Sequence, residues 1–253
     1  MAGSHVHALY RHGDSRIHGL PPHVKIVAAF GYVFAVVATP REALWAFAVY
    51  FAILLAAATL ARLGIRFVAL RMVIEIPFVV VALLLPFFGG GETVEVLGVA
   101  LSREGLWDMW NIVAKATAGL LTSIVLAGTT QITELLRGMD ALRVPRVITS
   151  IMMFMIRYLD VVFGELSRTR VAMRSRGYRP RWLGHIRPFA QSIGHLFIRS
   201  YERGERVYLA MASRGYTGTM PPVAGDAATA RQWAGVLSVP AAAWVIAVLA
   251  LTS

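Results

Sequence analysis

The sequence predicts an all-α polytopic membrane protein, with about five transmembrane helices and a set of long cytoplasmic helices. Three observations lead there. Of the 253 residues 57% are hydrophobic and 15% charged, and the mean hydropathy is +0.61, far more apolar than a soluble domain of this size requires. Apolar runs recur at bilayer length, such as Ala43–Ala61, 19 residues without a charge. Fifteen arginines crowd between Arg137 and Arg214, the positive excess expected of a cytoplasmic region.

Composition also excludes. The net charge is +11 and the isoelectric point about 10.8, yet Lys25 and Lys115 are the only lysines. Such a balance suits nucleic acid, but the arginines lie beside and between apolar spans, so the expected partner is the lipid bilayer and no nucleic acid. The absence of Cys excludes disulfides and thiolate metal sites. No phosphate loop, H-E-x-x-H or G-x-S-x-G motif occurs, so no catalytic residue is assigned and any energy comes from a partner.

In chain order, residues 1–23 form a polar cytoplasmic or interfacial segment with His5, His7, His12, His18 and His23. No pair of them has tight ligand spacing with a carboxylate, so no metal site is assigned. Residues 24–128 form a membrane bundle of four helices. The first, Val24–Thr39, is short and ends before Pro40; the second is Ala43–Ala61. The third, Phe67–Phe88, contains Arg71 and Glu75 one turn apart, then Pro77 and Pro86. A mildly acidic, glycine-bearing loop, Gly89–Asp108, leads to the fourth, Met109–Ala127, with Asn111 and Lys115.

Residues 129–216 are read as cytoplasmic, with helices at Thr130–Leu142, Arg146–Arg176 and Pro188–Arg214. The apolar run Val147–Ile156 is too short to span alone. Ser200 and Gly204 form a small-residue notch where two helices can cross closely. A linker at 217–232 precedes a last span within 233–253, Trp233–Leu251. With the arginine-rich region inside, the Arg62–Arg66 loop and the N-terminus also fall inside and the acidic loop outside.

One phrase occurs twice. Arg168, Ala172, Met173, Ser175, Arg176, Gly177 and Tyr178 recur 38 residues on as Arg206, Ala210, Met211, Ser213, Arg214, Gly215 and Tyr216. Each copy closes an amphipathic segment, so each glycine reads as the left-handed cap of a helix and each preceding arginine as a protruding tip. A single copy is explained by an ordinary cap with an arginine complementing the helix dipole. Two copies point instead to matched plugs for two equivalent sockets on a symmetric partner.

These residues resemble the paired signature motifs of the transmembrane T component of energy-coupling factor (ECF) transporters, ABC-type importers of vitamins and transition-metal ions. Val37–Pro40, Pro77–Phe88 and Thr129–Pro145 are similar to segments of that family, and His12–Lys25 resembles its cobalt-type branch, the CbiQ family. One departure is Arg174, where the second copy has Ala212.

The resemblance implies a scaffold in the cell membrane that joins two ABC ATPase subunits to a metal-binding membrane subunit. Arg176 and Arg214, at the ends of two crossed coupling helices, would enter grooves on the ATPases. The chain itself would be non-catalytic and hold no cofactor, ATP being used by the partners, with cobalt or nickel as cargo. Two alternatives stay open. One is a stand-alone carrier or channel using Arg71, Glu75 and Lys115; the other is a membrane enzyme using His185 and His195.

Overall fold

The computed structural model describes residues 10, 11, 13, 15, 17–88, 90, 93–96, 99–178, 186–218 and 228–252. The chain divides into two compact units, Leu9–Gly138 with Gly225–Ser253, and a second that is chiefly Met139–Ala224.

In the first unit, α1 (Pro22–Ala38) opens on Pro22, whose missing N–H falls where no helical partner exists. The helix stops at Thr39, whose hydroxyl donates to the Ala35 carbonyl at 2.9 Å. The uninterrupted apolar sequence of α2 (Leu44–Leu60) suits a helix without a watery face.

A third apolar stretch, Ile65–Phe88, is broken into α3 (Ile65–Met72), a 3-10 turn at Val73–Glu75, α4 (Ile76–Ala82) and α5 (Leu85–Phe88). The prolines place both breaks. Pro77 has no N–H for the carbonyl of Val73, and Pro86 none for that of Ala82, four residues back in each case. In the first break Glu75 is 6% exposed and its carboxylate accepts from the Thr117 hydroxyl at 2.6 Å.

The region expected as an acidic loop holds a short antiparallel hairpin instead, β1 (Thr93–Val96) with β2 (Val99–Ser102), in register from Thr93 opposite Ser102 to Val96 opposite Val99. Ser102 ends β2 and caps α6 (Arg103–Thr129), accepting from the Gly105 N–H at 3.2 Å and donating to the Gly90 carbonyl at 2.7 Å. The fourth expected span thus starts six residues earlier than Met109. α7 (Ile132–Ala141) follows α6, and α10 (Ala230–Thr252) closes the chain.

The core of this unit lies where α1, α2, α6 and α10 meet, around Tyr32, Phe47, Tyr50 and Leu54 with Ala114, Ala118, Ala243 and Ala247. Alanines on the facing surfaces let the helices approach closely. Tyr50, fully buried, ties three of them: it accepts from or donates to Thr39 Oγ1 at 2.9 Å, donates to the Ala243 carbonyl at 3.1 Å, and its own carbonyl accepts from Tyr32 at 2.8 Å.

A second polar node joins the N-terminal segment to the end of α6. The Lys25 ammonium, 6% exposed, donates to the carbonyls of His18 and Thr129, both at 3.1 Å, and to Thr130 Oγ1 at 3.2 Å. His18 in turn contacts Ser15 Oγ at 2.6 Å and the Arg11 carbonyl at 3.0 Å. His5, His7, His12 and His185 lie outside the described residues.

In the second unit, α8 (Arg146–Ser175) and α9 (Arg187–Ala212) are 30 and 26 residues long. By length and composition four helical stretches can cross a membrane: Ile65–Phe88, Arg103–Thr129, Arg146–Ser175 and Ala230–Thr252. α8 enters this set because the run Val147–Ile156 belongs to one unbroken helix, whereas α1 and α2, 17 residues each, reach about 26 Å at the usual rise. The protein is an all-α, multi-pass membrane protein, the hairpin aside.

Candidate functional site

The two copies of the repeated phrase close α8 and α9 with the same backbone bonds. At the first, the Tyr178 N–H donates to the Met173 carbonyl at 3.0 Å and the Gly177 N–H to the Arg174 carbonyl at 3.0 Å. At the second, Tyr216 donates to Met211 at 3.0 Å and Gly215 to Ala212 at 3.0 Å. This is the paired closure that returns a chain on its own last turn. It requires a left-handed residue, and Gly177 and Gly215 have φ of +77° and +84°. A Cβ at either would meet no atom within 4 Å, so the demand for glycine is conformational and not steric.

The side chains match as well. Met173, Met211, Tyr178 and Tyr216 are half-buried, and Arg176 and Arg214 are exposed. Ser175 Oγ donates back to the carbonyls of Val171 and Ala172, both at 3.1 Å, and Ser213 Oγ to that of Ala210 at 3.0 Å. Both serine hydroxyls therefore donate inside their own helix. Ala172 and Ala210 are exposed one turn before the tips. Among the described residues neither Arg176 nor Arg214 makes an ion pair or side-chain hydrogen bond. Each tip offers an unspent planar guanidinium suited to carboxylates and carbonyls.

Contacts between α8 and α9 begin at Glu165. Its carboxylate accepts from Arg199 at 3.2 Å and from Arg203 at 3.3 Å, and its side chain is 13% exposed. Nearer the α8 end, Ser192 Oγ lies 3.5 Å from Met173 Sδ, and the Arg170 guanidinium stands 5.6 Å from the Phe189 ring. Along this stretch the numbering rises on one helix as it falls on the other, so the two run antiparallel. Ser200 is half-buried, with its hydroxyl on the Leu196 carbonyl at 2.8 Å. Gly204 is exposed, and a Cβ there meets nothing within 4 Å. The two helices are thus joined at an acid shared by two arginines, of which Arg203 directly precedes Gly204.

Sequence reading passed over Glu165, Arg199 and Arg203. A signal was present: Glu165 and Arg203 are 38 residues apart, the repeat offset itself, and the acid of one copy stands where the other has a base. Arg176 and Arg214 each lie 11 residues beyond this point on their own helices, about 16 Å at the usual rise.

The residues of the carrier alternative do not converge in this way. Glu75 is bonded to Thr117, Lys115 donates to the Val37 carbonyl at 2.9 Å, and Arg71 covers the Phe67 ring at 3.4 Å. Among the described residues no three His, Asp or Glu side chains gather as a metal site.

Comparison with known proteins places the chain in a family. The chain is 29% identical over 170 residues to the cobalt transport protein CbiQ of Rhodobacter capsulatus, covering 64% of this chain and 68% of that one. It is 31% identical over 231 residues to the energy-coupling factor transporter transmembrane protein EcfT of Thermanaerovibrio acidaminovorans, covering 83% and 82%. A fused cobalt transport protein CbiMQ of Methanocorpusculum labreanum is 29% identical over 145 residues, which are 55% of this chain and 24% of that much longer protein. A second similar protein, from Methanocaldococcus jannaschii, is matched over 45% of its length, so the chain spans well under two thirds of both these relatives. The sequence model of the cobalt transport proteins CbiQ matches residues 13–223, and on that match this chain belongs to the CbiQ family.

Proposed function

We propose that this chain is the energy-coupling scaffold of an ECF-type importer for cobalt, with nickel as a related cargo. The observation that carries the reading is the pair of identically closed helix ends, each presenting an exposed arginine without a partner among the described residues. Arg176 and Arg214 insert into two ABC ATPase subunits, and the glycine closures hold each tip in shape. Glu165, bonded to Arg199 and Arg203, holds the two helices at their crossing. Closure of the ATPases on ATP then changes the crossing angle and moves a metal-binding membrane subunit that delivers the ion. The chain binds no cofactor directly and hydrolyses nothing itself; ATP is consumed in the partner chains. The names of the CbiQ and EcfT relatives support the cargo and the transporter class. The fused cobalt transport relative, of which the match is about a quarter, supports the cargo as well. The N-terminus and α8–α9 face the cytoplasm in this reading, since the arginine excess lies there.

The test is co-purification of an ABC ATPase from membranes with the native chain and with the double variant Arg176→Glu, Arg214→Glu. Capture by the native chain and its loss in the variant, with helicity retained, is the expected result. No ATPase on the native chain, in mild detergent with all partners expressed, would sink the reading and favour a solitary carrier.

A further inference from the structure

Beside the first helix end lies a cavity of about 260 Å³ lined by Arg170, Met173, Arg174, Tyr178, Ile186 and Phe189. Its charge is unbalanced. From Leu166 to Tyr201 the sequence holds eight arginines and no Asp or Glu, and Glu165, just before, is already shared by Arg199 and Arg203. Among the described residues neither Arg170 nor Arg174 pairs with a carboxylate. Arg170 and Arg174 are one turn apart on α8, so both forks serve the same face. Two guanidinium groups over one cavity are suited to a bidentate hold on phosphate.

The rest of the wall is apolar. Ile186 is 48% exposed, and α9 continues the surface with exposed Ile193 and Phe197. An anionic head beside an apolar strip has the chemistry of an amphiphile. By length and composition α8 is also apolar enough to suit contact with a membrane.

The repeat separates this cavity from the helix-end plugs. At the same offset of 38, Arg170 and Arg174 become Tyr208 and Ala212, while Met, Ser, Arg, Gly and Tyr of the phrase are kept. A contact needed by both sockets of a symmetric partner would be present in both copies. This one is present in the first only.

We propose that the cavity binds the headgroup of an anionic phospholipid, with Arg170 and Arg174 on the phosphate and the glycerol end against Ile186 and Phe189. The inference does not rest on the coupling reading, because it concerns this chain and the bilayer alone. Retained lipid would fix the approach of α8 to α9 and make the α8 end sensitive to membrane composition.

The experiment is native mass spectrometry of the purified full chain equilibrated with equal amounts of phosphatidylglycerol and phosphatidylcholine. The native chain is expected to retain phosphatidylglycerol preferentially. Arg170→Gln, Arg174→Gln should lower that preference, by on the order of five-fold for each arginine. Arg137→Gln, Arg143→Gln, which removes equal charge elsewhere, should leave it, as should excess inorganic phosphate. Arg170→Lys, Arg174→Lys keeps both charges but loses the forked donors, and should keep only part of the preference. An unchanged preference in the Gln pair, or an equal fall in the control pair, would overturn the proposal. Displacement by inorganic phosphate would make this a free-anion site, and loss of ATPase capture with the lipid preference intact would assign the pair to a protein partner; either result overturns it too.

Discussion

Glu165 and Arg203 form a 3.3 Å ion pair between residues that occupy the same position in the two copies of the repeat. Two antiparallel helices that carry one repeat can meet at equivalent positions at only one point, and this pair stands there. Because Glu165 is mostly buried and serves two arginines, it is expected to contribute more than an exposed pair, about 1–2 kcal/mol. Glu165→Gln should therefore lower ATP-driven uptake while leaving ATPase capture intact. Glu165→Arg combined with Arg203→Glu should restore part of the loss. Rescue absent in the swap, measured as a double-mutant cycle on uptake, would remove the crossing role.

The glycines divide into two kinds. Gly177→Ala and Gly215→Ala force a Cβ into left-handed backbone and should each cost about 1 kcal/mol. Gly204→Ala places a methyl in open space inside a helix and should stabilise α9 by up to about 1 kcal/mol. Amide hydrogen exchange in the last turns of α8 and α9 reads all three changes. Slower exchange in Gly177→Ala, or faster exchange in Gly204→Ala, would contradict the geometry.

Lys25 is expected to be a structural lysine. Lys25→Met removes the donor to the His18 and Thr129 carbonyls and should lower stability in detergent by about 2–3 kcal/mol. Thermal unfolding monitored by helicity measures it. An unchanged midpoint would mean that the N-terminal segment does not rely on this amine.

Thr117→Val leaves the Glu75 carboxylate buried without its hydroxyl donor, at a cost of about 1–3 kcal/mol. Replacing both partners, as Thr117→Val with Glu75→Leu, should be close to neutral and should leave uptake unchanged. Uptake abolished in the stable double variant would instead place Glu75 on a transport pathway.

The helix ends were legible in the sequence because two copies of one phrase expose what a single cap hides. The breaks in Ile65–Phe88 were legible in outline, since Pro77 and Pro86 each leave a carbonyl without a donor four residues back. The hairpin was hidden by composition: Gly and Glu around Thr93–Ser102 suggested a loop, and each strand is only four residues long. Small size marks Ser200 and Gly204 in the sequence, while the pairing of Glu165 with Arg199 and Arg203 beside them leaves no such mark. The buried role of Lys25 leaves no mark in the sequence because its partners, Thr129 and Thr130, lie more than a hundred residues away.

The closure at Gly177 and Gly215 has a mechanical consequence. A helix whose last carbonyls are bonded by its own returning chain does not fray when its tip is pushed, so displacement travels along the axis and is not absorbed as unwinding. In the proposed coupling role, with Arg176 and Arg214 each 11 residues from the Glu165–Arg203 pair, the two helices would act as stiff levers of equal arm. Equal arms deliver equal torque at the fulcrum from equal pushes at the two tips.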